Sequence, residues 1–254
     1  MAKTPKSPLS YINRDYRNRI DADGLISTFV RVSQTDLQIL ADRDIKESAT
    51  HLVIQYRSQL ENYIARNPLF LTALEPLPWD RLAPPIVKDM LAAADKAGVG
   101  PMAAVAGAIS GFVGRDLLAD EGCSEIIVEN GGDIYLKRSR SSCVNIYAGT
   151  SVLSNRIGIK IAREGMPIGI CTSSGTIGHS LSLGQADSVT VLAPDISLAD
   201  AAATRIGNEI RRVGDLEKGL SLGKSIPGLT GVVIVMDENL GAWGDIEIIR
   251  LPQG

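Results

Sequence analysis

The stretch Ser188-Val-Thr-Val-Leu-Ala-Pro-Asp-Ile-Ser-Leu-Ala-Asp-Ala-Ala-Ala-Thr204 predicts a strand followed directly by a helix. The run from Ser188 to Leu192, rich in β-branched residues, is typical of a buried strand. Ser197 is a residue type favoured at the start of a helix, and this helix is predicted to run to Val213 with Asp200 in its first turn. The order of elements indicates a chain that mixes strands and helices.

Two oxygen-bearing side chains of that helix share one face. Asp200 and Thr204 are separated by one helical turn and therefore point in the same direction. A carboxylate and a hydroxyl are ligands of the kind that Mg²⁺ prefers. The other interpretation is that Asp200 complements the helix dipole while Thr204 packs on a sheet. The pair by itself leaves both interpretations open.

The N-terminal half of the chain also alternates between strand and helix patterns. Residues Ile20 to Asp42 alternate apolar and polar side chains around a break at Gln34, which predicts a hairpin. Apolar residues recur at helical spacing from Ile45 to Arg66 and again from Ile86 to Ala97. The segment from Pro101 to Glu121 is an Ala- and Gly-rich helix, and its glycines indicate a close packing partner, either a sheet or a second subunit.

Further strands are predicted on both sides of the opening stretch, at Glu125 to Glu129, Asp133 to Lys137, Val144 to Tyr147, Arg156 to Ile161, Ile168 to Thr172, Gly231 to Met236 and Trp243 to Arg250. Their short connections favour antiparallel neighbours. We therefore expect one α+β domain over residues 1–254, with two halves of similar element order at about 1–120 and 121–254.

The composition excludes several classes of function. With a formal net charge of -3, the 254-residue chain has no basic excess to attract nucleic acid. It contains neither an export signal nor a long uninterrupted apolar run, so we expect a cytoplasmic protein with no membrane segment. Three cysteines without CxxC spacing and only two histidines argue against a structural zinc site, a disulfide framework or a histidine-based metal centre.

Two polar segments are candidates for ligand binding. Asn130-Gly-Gly-Asp133 separates two predicted strands, and its glycines can let a ligand approach the backbone closely, although any tight hairpin uses Asn-Gly. Cys171-Thr-Ser-Ser-Gly-Thr-Ile-Gly-His179 clusters hydroxyls and N–H groups that can receive a phosphate or a heterocycle, or simply form a polar loop. His179 lies beyond this loop and is the candidate catalytic residue.

Taken together, five blocks of sequence resemble the ApbE flavin-transferase family in both order and spacing. They are Gly107-Ala-Ile-Ser-Gly-Phe112, Glu129-Asn-Gly-Gly-Asp-Ile134, Thr172-Ser-Ser-Gly175, His179 and Ala199-Asp-Ala-Ala-Ala-Thr204. The resemblance covers about residues 101 to 210. It implies an α+β fold of antiparallel sheets backed by helices, related to the T-fold enzymes that act on purines and pterins.

The resemblance also implies a ligand and a reaction. Members of the family bind FAD and Mg²⁺ and transfer FMN onto a threonine or serine of a protein acceptor. By this resemblance Asp200 and Thr204 are metal ligands. The residues placed around the flavin nucleotide are Ser110, Asn130, Gly131, Gly132, Asp133, Thr172, Ser173, Ser174 and Gly175.

The sequence departs from the family at two places. In the family's Gly-x-x-Lys-Gly-Tyr block, Ser110 replaces the lysine and Phe112 replaces the tyrosine, so an ammonium and a phenol are lost. The family's Asp-Pro-x-Thr-Gly stretch is missing after His179. These changes predict weaker dinucleotide binding and a divergent branch of the family.

Three hypotheses follow for the function. The first is a Mg²⁺-dependent FMN transferase acting on a protein. The second is a flavin- or pterin-binding or assembly protein that has lost the transfer chemistry. The third is a different enzyme of the same fold with Cys171 as the nucleophile. A homo-oligomer is compatible with each of them.

Overall fold

The computed structural model describes residues 24–120, 122–175 and 183–252 of the chain. Its strands are β1 (Ile26–Val32), β2 (Thr35–Ala41), β3 (Ile126–Asn130), β4 (Asp133–Lys137), β5 (Ser142–Asn145), β6 (Ile157–Ile161), β7 (Ile168–Ser173), β8 (Ser188–Ala193), β9 (Gly231–Met236), β10 (Asn239–Gly244) and β11 (Glu247–Arg250). Its helices are α1 (Lys46–Arg66), α2 (Leu69–Thr72), α3 (Pro85–Ala97), α4 (Val105–Asp120), α5 (Ile196–Glu209) and α6 (Leu216–Ser225).

These elements form three layers around one large antiparallel sheet. Eight strands pair in the order β1-β2-β3-β4-β7-β8-β9-β10, and a smaller sheet has the order β11-β6-β5. The helices cover one face of the large sheet and build the main core there. The small sheet covers the other face and forms a second apolar cluster. The predicted α+β class, with antiparallel sheets backed by helices, is confirmed.

The large sheet repeats one arrangement twice. The hairpin β1-β2 is followed by α1 to α4 and the hairpin β3-β4, and the hairpin β7-β8 is followed by α5, α6 and the hairpin β9-β10. Strands β4 and β7 pair antiparallel where the two halves meet, with Asp133 opposite Cys171. Both residues face the helices, because alternate side chains of a strand point to opposite faces of the sheet.

Helix α4 is the Ala- and Gly-rich helix expected from the sequence, and it begins after a 3₁₀ turn at Pro101–Ala104. Its glycines pack against other elements: a Cβ on Gly114 would lie 2.3 Å from the Tyr135 ring of β4. By length and composition alone the stretch Pro101–Ala119 could cross a membrane, but core helices of globular proteins meet the same criterion. Here the helix packs on the sheet and on α1 and α5, as one of the two sequence interpretations proposed.

Several sequence predictions differ from the structure. The helix predicted from Ser197 to Val213 runs from Ile196 to Glu209, with the Asp195 side chain accepting a hydrogen bond from the Leu198 N–H at its start. Asp200 therefore lies beyond the first turn. The strand predicted from Trp243 to Arg250 is two strands, because Gly244 adopts φ +103° and the chain leaves the large sheet there. The helix α6 was not predicted.

Candidate functional site

The candidate site lies where the two halves of the large sheet meet, at the end of the sheet that carries the β3-β4 turn. Four elements converge there on the helix-covered face: the N-terminal end of α4, the second turn of α5, and the facing ends of β4 and β7. Helix α5 contacts both β7 and α4. The residues that line this junction come from segments that are far apart in the sequence.

Asp200 connects α5 to the start of α4. The Gly107 N–H donates a hydrogen bond to Asp200 Oδ2 at 2.8 Å, and the Ala106 N–H also bonds to this carboxyl group. These N–H groups lie in the first turn of α4, where no partner within the helix is available. Asp200 therefore acts as a remote cap for α4, in addition to any role in binding a ligand.

Gly107 is the residue that permits this contact. A Cβ at Gly107 would lie 2.7 Å from the Ile196 carbonyl oxygen and 2.8 Å from the Asp200 Cβ. Because both distances are below any normal carbon contact, a side chain at this position would push α4 away from α5. The glycine that begins the resemblance block is thus required for the approach of the two helices.

Asp133 brings a second carboxyl group into the junction. It is buried, and its side chain makes a hydrogen bond with Cys171 on the neighbouring strand. Burial raises the pKa of Asp133 well above its ordinary value, and the nearby Asp200 and Glu129 carboxyls raise it further. The protonated form of Asp133 is therefore more favoured than that of an ordinary aspartate.

The pKa of Asp200 is also raised, to about 7, because burial removes water from around the carboxyl group. The N–H groups of Gly107 and Ala106 oppose this effect by lowering the pKa. Asp200 as a whole is half-buried, so part of the residue stays open to solvent while the carboxyl group is packed among protein atoms. A half-buried carboxyl with a pKa near neutrality is a frequent feature of functional sites.

Thr204 and Ser173 extend the site along α5. Thr204 is half-buried and lies one turn after Asp200 on the same face. Gly207, close to a turn further on, packs on Ser173, since a Cβ there would lie 3.4 Å from the Ser173 hydroxyl oxygen. The face of α5 that carries Asp200 and Thr204 therefore extends from the start of α4 to Ser173 at the end of β7.

The β3-β4 turn closes the site on the other side. Gly131 and Gly132 adopt positive φ angles of 69° and 109°, the second of which is accessible almost only to glycine. The Asn130 Nδ2 group donates to the Ala106 carbonyl oxygen at 3.2 Å, which ties the turn to the start of α4. Asn130 thus holds the turn in place through its own side chain.

Two of the predicted ligand residues have hydroxyl groups that already contact other protein atoms. The Ser110 side chain is fully buried, and its hydroxyl donates to the Ala106 carbonyl oxygen at 2.9 Å within its own helix. Thr172 faces the small sheet, where its hydroxyl lies 2.9 Å from that of Thr190. The Ser110 hydroxyl also lies 3.5 Å from the Asp133 carbonyl oxygen, and the Thr172 N–H bonds to the Asp133 carboxyl group, so both residues border Asp133.

The remaining predicted residues lie at the end of β7. Ser174 and Gly175 follow the strand directly, and the Gly175 N–H donates to the Ala186 carbonyl oxygen at 2.9 Å. A Cβ on Gly175 would lie 2.3 Å from the Gly184 carbonyl oxygen, so this segment is tightly packed. The candidate catalytic residue His179 lies outside the described residues.

Sequence reasoning missed Glu129. This residue is 1% exposed, faces the small sheet, and its Oε1 accepts a hydrogen bond from the Gly132 N–H at 2.9 Å. This hydrogen bond stabilises the β3-β4 turn from the face of the sheet that is covered by the small sheet. Its position three residues before Gly132 was the available signal, since a carboxylate at this spacing can reach back to a turn N–H.

The structure argues against Cys171 as a nucleophile. Its Sγ is buried and donates to the Ile196 carbonyl oxygen at 3.5 Å. Burial and the nearby Asp133 and Asp200 carboxyls raise the pKa of this thiol well above its ordinary value. Because the reactive form of cysteine is the thiolate, the third hypothesis from the sequence is not supported.

The oxygen donors at the junction suit a hard cation. Asp133 and Asp200 supply two carboxyl groups; burial raises the pKa of both, and the Asp200 and Glu129 carboxyls raise that of Asp133 further. Among the described residues no three His, Cys, Asp or Glu side chains form a complete metal cluster. Mg²⁺ commonly uses one or two carboxylates and takes its other ligands from water and phosphate, so this donor set fits it.

Comparisons with known proteins agree with the resemblance noted in the sequence. A family model described as AbpE bacteria matches residues 17–224. A UPF0280 protein of Methanococcus maripaludis is 44% identical over 222 residues, which cover 85% of this chain and 90% of that protein. A UPF0280 protein of Methanosarcina barkeri is 38% identical over 224 residues, which cover 87% of each chain.

Among solved structures, the flavinyl transferase ApbE of Pseudomonas stutzeri in its apo form has a similar fold. The two share 15% sequence identity and a TM-score of 0.52, over 86% of this chain and 93% of that chain. At this level of identity the similarity is one of fold, and function has to be argued from the site.

Proposed function

This chain belongs to the ApbE-like family described by the AbpE bacteria model, and on that premise we propose that it binds a flavin nucleotide at the junction of α4, α5 and the β3-β4 turn. The observation that carries the proposal is the pair of carboxyl groups of Asp133 and Asp200. They lie beside the β3-β4 turn, where the two halves of the large sheet meet. Two carboxyls in a poorly hydrated site are costly without a cation. The cation of a metal-bound phosphate group would neutralise the charge of these carboxyl groups.

In this proposal Asp200 and Thr204 hold Mg²⁺, with Asp133 close enough to influence its binding. Mg²⁺, when bound, neutralises charge on phosphate oxygens and stabilises the charge that develops during phosphoryl transfer. The Gly131 and Gly132 backbone allows a ligand to approach without a side chain between them. Ser173 and Ser174 supply hydroxyls that orient the ligand.

The finer proposal is FMN transfer from FAD to a protein hydroxyl. FAD is FMN joined to AMP by a pyrophosphate group. In the transfer the bond between the FMN phosphorus and the bridging oxygen breaks, and a bond from that phosphorus to the acceptor oxygen forms. AMP leaves with the bridging oxygen, and the hydroxyl proton is released. His179 remains the candidate catalytic residue from the sequence.

A second candidate function is flavin or pterin binding without transfer. It is favoured by the two family positions that changed. The Ser110 hydroxyl donates a hydrogen bond within α4, and the Phe112 ring packs 5.1 Å from the Tyr56 ring. Neither residue replaces the charge or the hydrogen bond that a lysine and a tyrosine would give to a phosphate.

Calorimetric titration of the purified chain with FAD, FMN and biopterin, each with and without Mg²⁺, tests both candidates. Mg²⁺-dependent binding of FAD, followed by AMP release measured chromatographically, would support transfer. Binding of FMN or biopterin without AMP release would support the second function. Absence of binding to all three compounds would overturn both.

A further inference from the structure

The segment between α1 and α3 carries an unusual concentration of exposed apolar side chains. We call residues 69–82 the apolar shelf. Its large side chains and their exposed fractions are Leu69 62%, Leu71 52%, Leu74 65%, Trp79 57% and Leu82 95%. Elsewhere in the described residues, no element or loop carries more than two large exposed apolar side chains, as β1 does with Ile26 and Phe29. Such a concentration of exposed apolar side chains within one short segment points to an interaction site.

The shelf is held rigidly against the body of the protein. Phe70 is buried, with its ring 5.1 Å from the ring of Tyr63. Asp80 accepts hydrogen bonds from the Tyr63 hydroxyl at 3.1 Å and from the Leu82 N–H at 2.8 Å. The Ala73 carbonyl oxygen lies where a Cβ of Gly100 would be, at 1.8 Å. The exposed leucines are therefore displayed on a fixed backbone, and their ordering costs little on binding.

The size of the shelf suits association with an equal surface. Five large side chains that are each more than half exposed present on the order of 500 Å² of apolar area. Two copies would together remove on the order of 1,000 Å² before the surrounding polar area is counted, which reaches the size of a specific interface.

The charges on the shelf are self-complementary. Glu75 and Arg81 are both exposed and lie on either side of Pro78 in the sequence, whereas Asp80 is already engaged with Tyr63 and Leu82. Because Glu75 and Arg81 are each three residues from Pro78 in the sequence, a two-fold axis near Pro78 would bring Glu75 of one copy towards Arg81 of the other, and Leu74 towards Leu82. A two-fold interface requires this reciprocal pattern.

From the exposed leucines, the rigid backbone and the paired charges we infer that the apolar shelf is the interface of a homodimer. No residue of the shelf belongs to the carboxyl pair of the candidate site, so the inference does not rest on the proposed function. The partner is a second copy of this chain, seated shelf against shelf.

Analytical ultracentrifugation of the full chain tests the inference. The wild-type chain is expected to sediment with twice the mass of 27.0 kDa. The double variant Leu74→Asp/Leu82→Asp is expected to be monomeric, with a dissociation constant raised at least about 100-fold. Val152→Asp is the matched control, because Val152 is an apolar residue with 57% exposure outside the shelf, and it should remain dimeric.

Charge reversal gives a second readout that a folding defect cannot imitate. Glu75→Arg and Arg81→Glu should each weaken the dimer, and the two changes together should restore it. A wild-type chain that is monomeric up to about 100 μM would overturn the inference. So would a dimer that resists both shelf variants but is broken by Phe29→Asp on the exposed edge strand β1.

Discussion

Asp200 Oδ2 accepts a hydrogen bond from the Gly107 N–H at 2.8 Å, and this contact joins α5 to the first turn of α4. Two blocks of sequence that suggested separate roles, a glycine-rich helix and a metal-binding aspartate, are therefore parts of one structural unit. The same carboxyl serves as a helix cap and as a candidate metal ligand. Substitutions at either residue should affect both stability and binding, and the following predictions separate the two effects.

Asp200→Asn should remove Mg²⁺-dependent ligand binding while preserving the fold. The amide oxygen can still accept hydrogen bonds from Gly107 and Ala106, so near pH 7 the unfolding free energy should change by less than about 1 kcal/mol. Asp200→Ala loses the cap as well and should cost about 1–2 kcal/mol. Calorimetric titration and urea denaturation measure the two effects. Asp245→Asn, at the opposite end of the sheet, is the control, and equal Mg²⁺ dependence in both Asn variants would exclude Asp200 as a metal ligand.

Gly107→Ala should destabilise the chain by about 1–3 kcal/mol, because its Cβ would meet the Ile196 carbonyl oxygen at 2.7 Å. It should also weaken ligand binding by separating α4 from α5. Gly165→Ala is a matched control, since a Cβ there meets nothing within 4 Å. Thermal unfolding of the two variants makes the comparison. Equal melting temperatures would show that the α4-α5 contact is less tight than described.

Substitutions of the two glycines in the β3-β4 turn should differ in their effect on the free energy of unfolding. Gly132 has φ +109°, so Gly132→Ala should cost about 1–3 kcal/mol. Gly131 has φ +69° and open space around a Cβ, so Gly131→Asn should cost less than about 1 kcal/mol. Urea denaturation of both variants is the measurement. The opposite ranking would contradict the turn geometry.

Ser110→Ala should leave ligand affinity within about two-fold of the wild type, because the hydroxyl is used by the Ala106 carbonyl oxygen inside α4. A loss of stability of about 1 kcal/mol is expected from that hydrogen bond. The calorimetric titration that tests the function also tests this variant. A large loss of affinity with unchanged stability would contradict this prediction and indicate that Ser110 contacts the ligand.

Stability in the absence of metal should depend on pH through Asp200. Its folded-state pKa of about 7 lies above the ordinary value of 3.8, so the folded protein binds this proton more tightly than the unfolded chain. The resulting stabilisation is fully present below about pH 4 and is lost as the pH rises through about 7. Between pH 5 and pH 8 the unfolding free energy of wild type relative to Asp200→Asn should fall by about 1–3 kcal/mol. Urea denaturation at several pH values, with a chelator present, measures the difference, and a constant difference would exclude a raised pKa at Asp200.

The element pattern was largely readable from the sequence, and the exceptions have physical reasons. The helix α6 escaped prediction because Gly219 and Gly223 are poor helix formers in isolation. In the folded chain a Cβ on Gly219 would meet Ile210 at 2.6 Å, and one on Gly223 would meet Val232 at 2.6 Å. Close packing against α5 and β9 stabilises this helix, and no local pattern reports such packing.

The sequence by itself determined the α+β class, the antiparallel hairpins and the family blocks, because these depend on residue spacing along the chain. Tertiary structure decided which block residues meet. It brought Asp133 beside Asp200, placed the Ser110 and Thr172 hydroxyls in contact with other protein atoms, and placed Asp200 on the N–H of Gly107. The raised pKa values were likewise decided there, because hydration and neighbouring charge at a carboxyl group depend on segments that only folding brings together.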